Sequence, residues 1–257
     1  MGLIDIQNLC ITSQNGQNII DGIDLTIYPH KVNALIGESG AGKSLTAKAL
    51  LDFLPSNISC HYDQYLFESH PIKDIHRYFG RKIGYISQNY AQSFNNHTKL
   101  GKQLIAIYRT HFNVSKKAAL AKVTEALTWV NLKDASLLNR YSFQLSGGQL
   151  ERIYIASVLM LDPQLIIADE PVASLDILNG YKVMELLEHV VRDHHNTLLI
   201  ITHNMSHVLK YSDYINVLKD GHIVEKGSIE HFNSNHLNSY TQQLINYRTK
   251  LKRDSYD

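Results

Sequence analysis

Three shortages narrow the reading before any motif is considered: cysteine, excess charge and long apolar runs. The chain's two cysteines, Cys10 and Cys60, lie too far apart for a metal spacing or a disulfide framework. That suits a reducing compartment and predicts that they behave as small apolar residues. With 25 Lys+Arg against 24 Asp+Glu the net charge is +1, so nothing draws the chain in bulk to a polyanion, and nucleic acid is not an expected partner. The longest apolar stretches, 165–168 and 198–201, fall well below the roughly 20 residues that span a bilayer, so any membrane role runs through a partner. Residues 1–11 carry Asp5 and no positive run, which does not read as a secretory signal. Ile6 stands where a myristoylation motif needs Ser or Thr. Neither an internal repeat nor a low-complexity linker is evident. The 257 residues are 44% hydrophobic and 19% charged, the balance of a globular chain able to bury a sizeable core.

What is present is an alternation of strand and helix. Short β-branched runs at 32–36, 83–86, 165–168 and 198–201 read as strands buried on both faces, the pattern of a parallel sheet. Helical stretches lie between them, one over 43–54 stopping before Pro55 and another from Glu185 onward. Earlier, 4–11 and 19–27 flank Asn15-Gly16 and predict an antiparallel flap. Asp220-Gly221 between 214–219 and 222–226 signals a hairpin. Over 115–131, Leu120, Val123, Leu127 and Val130 recur at helical spacing opposite Lys116, Lys117, Lys122 and Glu125, predicting a helical insertion. The Asn- and His-rich stretch 231–238 reads as a connector to a terminal helix, and the charged tail 250–257 is expected to fray.

Two motifs carry phosphate chemistry. Gly37-Glu38-Ser39-Gly40-Ala41-Gly42-Lys43-Ser44 fits the P-loop pattern and sits between a strand and a helix, as that motif requires. Its glycines let successive N–H groups and the helix end face phosphate oxygens. Lys43 neutralises the β and γ phosphates, and the Ser44 hydroxyl suits Mg²⁺, a hard cation. The second motif is the apolar strand 165–168 ending in Asp169 and Glu170, at the strand end where α/β folds place their chemistry. Asp169 is a candidate for the Mg²⁺ shell. Glu170 is the candidate to orient or deprotonate the attacking water.

Leu145-Ser146-Gly147-Gly148-Gln149, followed by a helix over 150–161, makes a second anion-binding helix end and has no place in a kinase or small GTPase. With it the sequence resembles the ATP-binding-cassette (ABC) ATPases from about residue 3 to residue 230. That resemblance implies an α/β fold: a P-loop NTPase (RecA-like) parallel-sheet core with an antiparallel β flap and an inserted α-helical subdomain at about 89–162. An ABC ATPase domain would cover 1–230, leaving 231–257 as a C-terminal helix and tail. It implies ATP and Mg²⁺ as cofactors and a dimer in which Ser146, Gly147, Gly148 and Gln149 close over the γ-phosphate held by the other subunit. Gln88 matches the Q-loop, implied to touch Mg²⁺ or water. Asp176, in Ala173-Ser174-Leu175-Asp176, matches the D-loop, and His203 the switch histidine that contacts the γ-phosphate. His203 and His207 are four apart, a metal spacing on a helix, but Asn204 breaks the zinc-protease pattern.

The segment Gln88-Asn89-Tyr90-Ala91-Gln92-Ser93-Phe94-Asn95, the later Gly101-Lys102-Gln103-Leu104 and Tyr141-Ser142-Phe143-Gln144 look like the dipeptide, oligopeptide and nickel importer branch, without that branch's usual prolines. Residues 12–18 hold no aromatic to stack on adenine, Tyr28 comes too late, and a contact worth ~1 kcal/mol is expected to be missing. Such importers imply a second, different ATPase subunit, transmembrane permease subunits and an extracellular solute-binding protein, with this chain peripheral on the cytoplasmic face of the membrane. The alternatives are a soluble non-transport ABC ATPase and the ATPase of an exporter. The fourteen histidines, His194-His195 among them, read as ordinary surface or core residues and not as a cargo site.

Overall fold

The computed structural model describes the backbone of residues 1–173, 175–234 and 236–253, and the side chains of all these except 91 and 247–253. Ser174 of the expected D-loop and the tail's last residues, 254–257, lie outside the described residues. In chain order the elements are β1 (Ile4–Ser13), β2 (Asn18–Ile27), β3 (Val32–Ile36), α1 (Lys43–Leu50), β4 (Ile58–His61), β5 (Gln64–Phe67) and β6 (His70–Pro71). They continue with β7 (Ile83–Ile86), α2 (Leu100–His111), α3 (Lys116–Trp129), α4 (Gly147–Leu159), β8 (Leu165–Asp169) and α5 (Ile177–His194). Last come β9 (Thr197–Thr202), α6 (Met205–Tyr211), β10 (Tyr214–Lys219), β11 (His222–Ser228), α7 (Ile229–Phe232) and α8 (Ser239–Arg253). Two compact units result, Met1–Arg77 with Thr197–Asp257, and Tyr78–Asn196.

In the first unit β10, β3 and β9 are parallel neighbours, with β11 antiparallel on β10. Every residue of β3 and β9 is buried, the polar Asn33, Thr197 and Thr202 included, so exposed polar chemistry begins only beyond the strand ends. Ile36 pairs with Thr202, so the two strands end together. The expected flap is present as β1 antiparallel to β2, and β1 also carries β4 and β5. The β10–β11 turn uses Asp220 at φ 46° and Gly221 at φ 79°, the twin positive values of a type I′ hairpin turn.

Several expectations need correction in this unit. Helix α1 stops at Leu50 rather than 54, because Asp52 enters the left-handed region at φ 54°. There the Phe53 and Asp52 amides donate to the Lys48 and Ala49 carbonyls at 2.8 and 3.2 Å, a Schellman closure without glycine. The cysteines are not core residues: Cys10 on β1 is half-buried and Cys60 on β4 is exposed. Stretch 231–238 leads into the terminal helix α8 as expected, and it is tied to β11: Glu225 accepts from the Asn238 amide at 3.1 Å and meets His231 Nε2 at 2.9 Å. The backbone of α8 continues to Arg253, into the tail expected to fray.

The second unit pairs β7 with β8 in parallel, Ile86 opposite Ala168. Its helical part contains α2, α3 and α4. Helix α3 buries Ala119, Val123, Ala126 and Leu127, with Val130 as its buried cap residue. Leu120, assigned to that face from spacing, is exposed. Helix α5 starts at Ile177, well before Glu185, because the Asp176 carboxylate accepts from the Asn179 amide at 2.9 Å and caps it.

Ile201 is fully buried on β9. Ile201→Ala should cost about 3 kcal/mol of stability, from lost transfer energy plus an incompletely collapsed cavity. Denaturant titration checks it; a loss under roughly 1 kcal/mol would mean the strand tolerates a void.

Candidate functional site

The P-loop leaves β3 at Gly37 and ends at Gly42, the N-cap of α1, with φ 100° and no side-chain cap. A Cβ at Gly42 would lie 2.4 Å from Ile20 Cδ1, so both conformation and space demand glycine there. Glu38, Ser39 and Gly40 are exposed while Lys43 is buried, at 6% exposure. The Lys43 ammonium donates to the Gly37 and Glu38 carbonyls at 2.9 and 2.8 Å. Ala41 and Ser44 are half-buried. His203 follows β9 directly and is exposed. Register therefore sets it beyond the Ile36–Thr202 pair, at the same strand ends as Gly37. Asn204 caps α6 by accepting from the Ser206 and His207 amides at 2.9 and 3.3 Å. His203 thus precedes the helix while His207 is buried inside it, and the metal spacing does not materialise. Among the described residues no group of three metal-binding side chains gathers. Tyr28 stacks obliquely on Tyr214, ring centroids 4.5 Å apart, and Gln14 and Asn15 are exposed.

In the second unit, Asp169 is buried at the end of β8 and accepts a hydrogen bond from the Tyr85 hydroxyl at 3.3 Å. Burial, then the Asp169 charge, pushes the Tyr85 phenol well above its ordinary range. It is therefore a fixed donor, which aims the Asp169 carboxylate. Glu170, half-buried, sits at φ 47°. That left-handed conformation costs a non-glycine residue about 1 kcal/mol. It ends the extended run of β8 directly after Asp169. Gln88 is exposed two residues past β7, at the strand ends that carry Asp169. The Tyr154 hydroxyl of α4 accepts from the Ser87 amide and donates to the Tyr85 carbonyl, both at 3.2 Å. It holds the root of the Gln88 segment.

The signature stands at the start of α4. Ser146 is its N-cap: Ser146 Oγ accepts from the Gln149 amide at 3.3 Å, and Gln149 Oε1 accepts from the Ser146 amide at 3.2 Å, a capping box. Ser146 and Gly147 are exposed, and nothing lies within 4 Å of where a Gly148 Cβ would be. Two hydrogen bonds from Asn179 hold the Asp176 carboxyl below its ordinary range. Ile177 and Leu178, just past it, are exposed.

Tyr85, Tyr154 and Glu151 are absent from the sequence-derived set. The tyrosines follow strand and helix spacing that reads as packing, and their partners are distant in sequence. Glu151, on α4, is 3% exposed and its Oε2 has no hydrogen-bond partner. It faces a cavity of about 660 Å³ shared with Arg152, Asn179 and Lys182. Burial raises its carboxyl to about 7, against a smaller opposing pull from Arg152. A carboxyl raised on folding favours the fold while protonated, so its contribution is complete below the unfolded value of 4.5 and is lost as pH rises through about 7. Glu151→Gln should flatten the fall in melting temperature between roughly pH 5 and 8. Parallel melting curves for parent and variant across that range would refute this.

A family model described as "ABC transporter" matches residues 20–173. Over its full length, and that of each relative, the chain is 64% identical to the "Nickel import system ATP-binding protein NikD" of Staphylococcus aureus strains bovine RF122 / ET3-1 and USA300. Among solved structures it superposes on cbiO1 of Clostridium perfringens, titled as part of the ABC transporter complex cbiONQ, with a TM-score of 0.78, 25% identity and 91% of each chain covered. The fold also matches the ATP-binding cassette MJ0796, titled as a dimeric post-hydrolysis state bound to ADP and Pi, at TM-score 0.73 and 24% identity, over 88% of this chain and 98% of that one. The P-loop, the carboxylate-tipped strand and the capped signature helix thus meet a full-length likeness in sequence and fold: the chain belongs to the ABC transporter family, as one of its ATPase cassettes.

Proposed function

We propose that this cassette hydrolyses ATP to drive nickel uptake through a membrane importer. The full-length 64% identity to proteins named as nickel import ATPases carries that reading. It favours import over the soluble and exporter alternatives. In this reading 1–230 is the ATPase domain, with the helical subdomain at about 89–162, and 231–257 is its C-terminal appendage. Its partners are a second, different ATPase cassette, two permeases and an extracellular binding protein, and it sits on the cytoplasmic face of the membrane. Among the described residues no helix is long and apolar enough to cross a membrane, so the permeases supply the path. The exposed Ile177 and Leu178 beside Asp176 supply an apolar contact for the second cassette.

The residues divide the work by their chemistry. Amides of 39–44 and the start of α1 bind the β and γ phosphates, and Lys43 neutralises them. The available donors are oxygens: the Ser44 hydroxyl, the buried Asp169 carboxylate held by Tyr85 and the Gln88 amide. That set suits Mg²⁺, which keeps water and phosphate as its other ligands. Bound there, the ion would offset charge developing on the transferred phosphoryl group. Glu170 accepts a proton from the attacking water as the water oxygen bonds to the γ phosphorus and the bond to the β-bridging oxygen breaks, giving ADP and phosphate. His203 donates toward the γ-phosphate. Ser146 and the α4 amides of each cassette serve the nucleotide on the other, so ATP favours the closed pair and hydrolysis releases it.

In cells lacking their own nickel-importer ATPase, the parent chain with its partners should restore uptake of radiolabelled nickel. Glu170→Gln should lower ATP turnover roughly 100-fold or more while still binding ATP, and Lys43→Ala should abolish binding. Wild-type uptake by the Glu170→Gln variant would remove the assigned base; restored uptake of peptide with none of nickel would overturn the solute.

A further inference from the structure

The root of the phosphate loop is held from an unexpected direction. Tyr240, on the second residue of α8, is 5% exposed and packs in an apolar cluster with Ala34, Ile36, Val208, Val217 and Phe232. Packing alone would be served by phenylalanine. The hydroxyl of a buried tyrosine needs a partner, and this one accepts a hydrogen bond from the Glu38 amide at 3.2 Å, 202 residues away in sequence. That N–H belongs to the peptide unit whose carbonyl, Gly37 O, accepts from the Lys43 ammonium at 2.9 Å. One planar peptide is therefore gripped at its N–H by Tyr240 and at its C=O by Lys43, and rotating it would break both contacts. The neighbouring backbone leaves little play, since a Cβ at Gly37 would come 2.1 Å from Leu218 O.

The tyrosine is itself anchored. Asn238 Oδ1 accepts from the Tyr240 amide at 2.9 Å, and the Asn238 amide donates to Glu225 of β11 at 3.1 Å. The Lys219 ammonium lies 4.8 Å from the centre of the Tyr240 ring. Burial pushes the phenol up from its ordinary range, so it remains neutral.

We propose that Tyr240 is a positioning residue for the phosphate loop: through the 37–38 peptide it fixes where Lys43 presents its charge, and so the C-terminal segment sets nucleotide affinity. This rests on the P-loop reading above. The test compares the full-length parent with Tyr240→Phe, which keeps the ring, and with Val208→Ala, which loosens the same cluster without touching the loop. Titration uses a non-hydrolysable ATP analogue with Mg²⁺, alongside thermal melting and hydrogen exchange at the Glu38 amide. Tyr240→Phe should weaken the analogue roughly 3- to 10-fold, the value of one hydrogen bond, and speed Glu38 exchange. In the assembled transporter the ATP KM should rise with kcat near the parent's. Val208→Ala should lower the melting temperature and leave affinity unchanged. An unchanged affinity in Tyr240→Phe overturns the proposal, as does an equal weakening by Val208→Ala. Failure of the parent itself to bind the analogue, with Glu38 exchange still faster in Tyr240→Phe, would instead overturn the P-loop reading beneath it.

Discussion

At Lys43 a helix begins whose N-cap is a left-handed glycine, with no side chain capping its first turn and no acidic residue in it. Helices α3, α4, α5 and α6 are each capped by a side chain, from Ser115, Ser146, Asp176 and Asn204 respectively. The N-terminal end of the α1 dipole thus meets neither a capping side chain nor an acid of its own helix, an arrangement that favours an anion at that end. A phosphate supplies charge and oxygens together, which is why the geometry of this one junction governs the rest. Glycine at 42 admits the tight approach, and burial of Lys43 places a fixed cation beneath the loop. Glu38, the loop's own acid, stays exposed.

The strands explain why functional side chains appear where they do. β3, β8 and β9 are buried along their whole length, and an unpaired polar group inside them would cost several kcal/mol (roughly 2–7). Chemistry is confined to the residues at or just beyond their C-terminal ends. In one unit the paired ends Ile36 and Thr202 deliver Gly37 and His203; in the other, Ile86 and Ala168 deliver Gln88 and Asp169. The backbone leaves the extended conformation directly after β8, at the left-handed Glu170. Tyrosines then fix what the strand ends leave loose, Tyr85 on Asp169 and Tyr154 on the Ser87 amide.

What could be read from residues alone was what local chemistry decides. The four buried strands, the Asp220-Gly221 hairpin and the P-loop junction follow from runs and turn residues within a few positions of one another, whereas α4 spans Gly147–Leu159 rather than the expected 150–161 because Ser146 caps it earlier. The end of α1 was not legible, because Asp52 closes the helix in a conformation that glycine normally signals. β4 is mostly exposed and exists by pairing with β1, so no periodicity marked it. Leu120 fitted the helical spacing of α3, yet it is exposed and alanines 119 and 126 join Val123 and Leu127 on the buried face; a spacing rule built on large residues ignores small ones. Tyr85, Tyr154 and Tyr240 act through partners that only the tertiary fold supplies, and in sequence they resemble core aromatics.

The signature serine shows how one residue can serve a helix and a ligand at once. In the capping box Ser146 Oγ uses a lone pair to accept from the Gln149 amide; its O–H proton is a separate resource, able to donate to an anion without disturbing the cap. Gln149 returns the favour through its side-chain oxygen to the Ser146 amide. The start of α4 is therefore already ordered before any phosphate arrives, and binding does not have to meet the entropy of forming that turn. An exposed, pre-capped helix end with donors to spare, and no base or nucleophile of its own, is suited to recognising a γ-phosphate held elsewhere rather than to cleaving it. In the proposed reading chemistry and recognition are kept on different elements, the first at Glu170 and the second at Ser146, the division that a cassette acting in pairs would use.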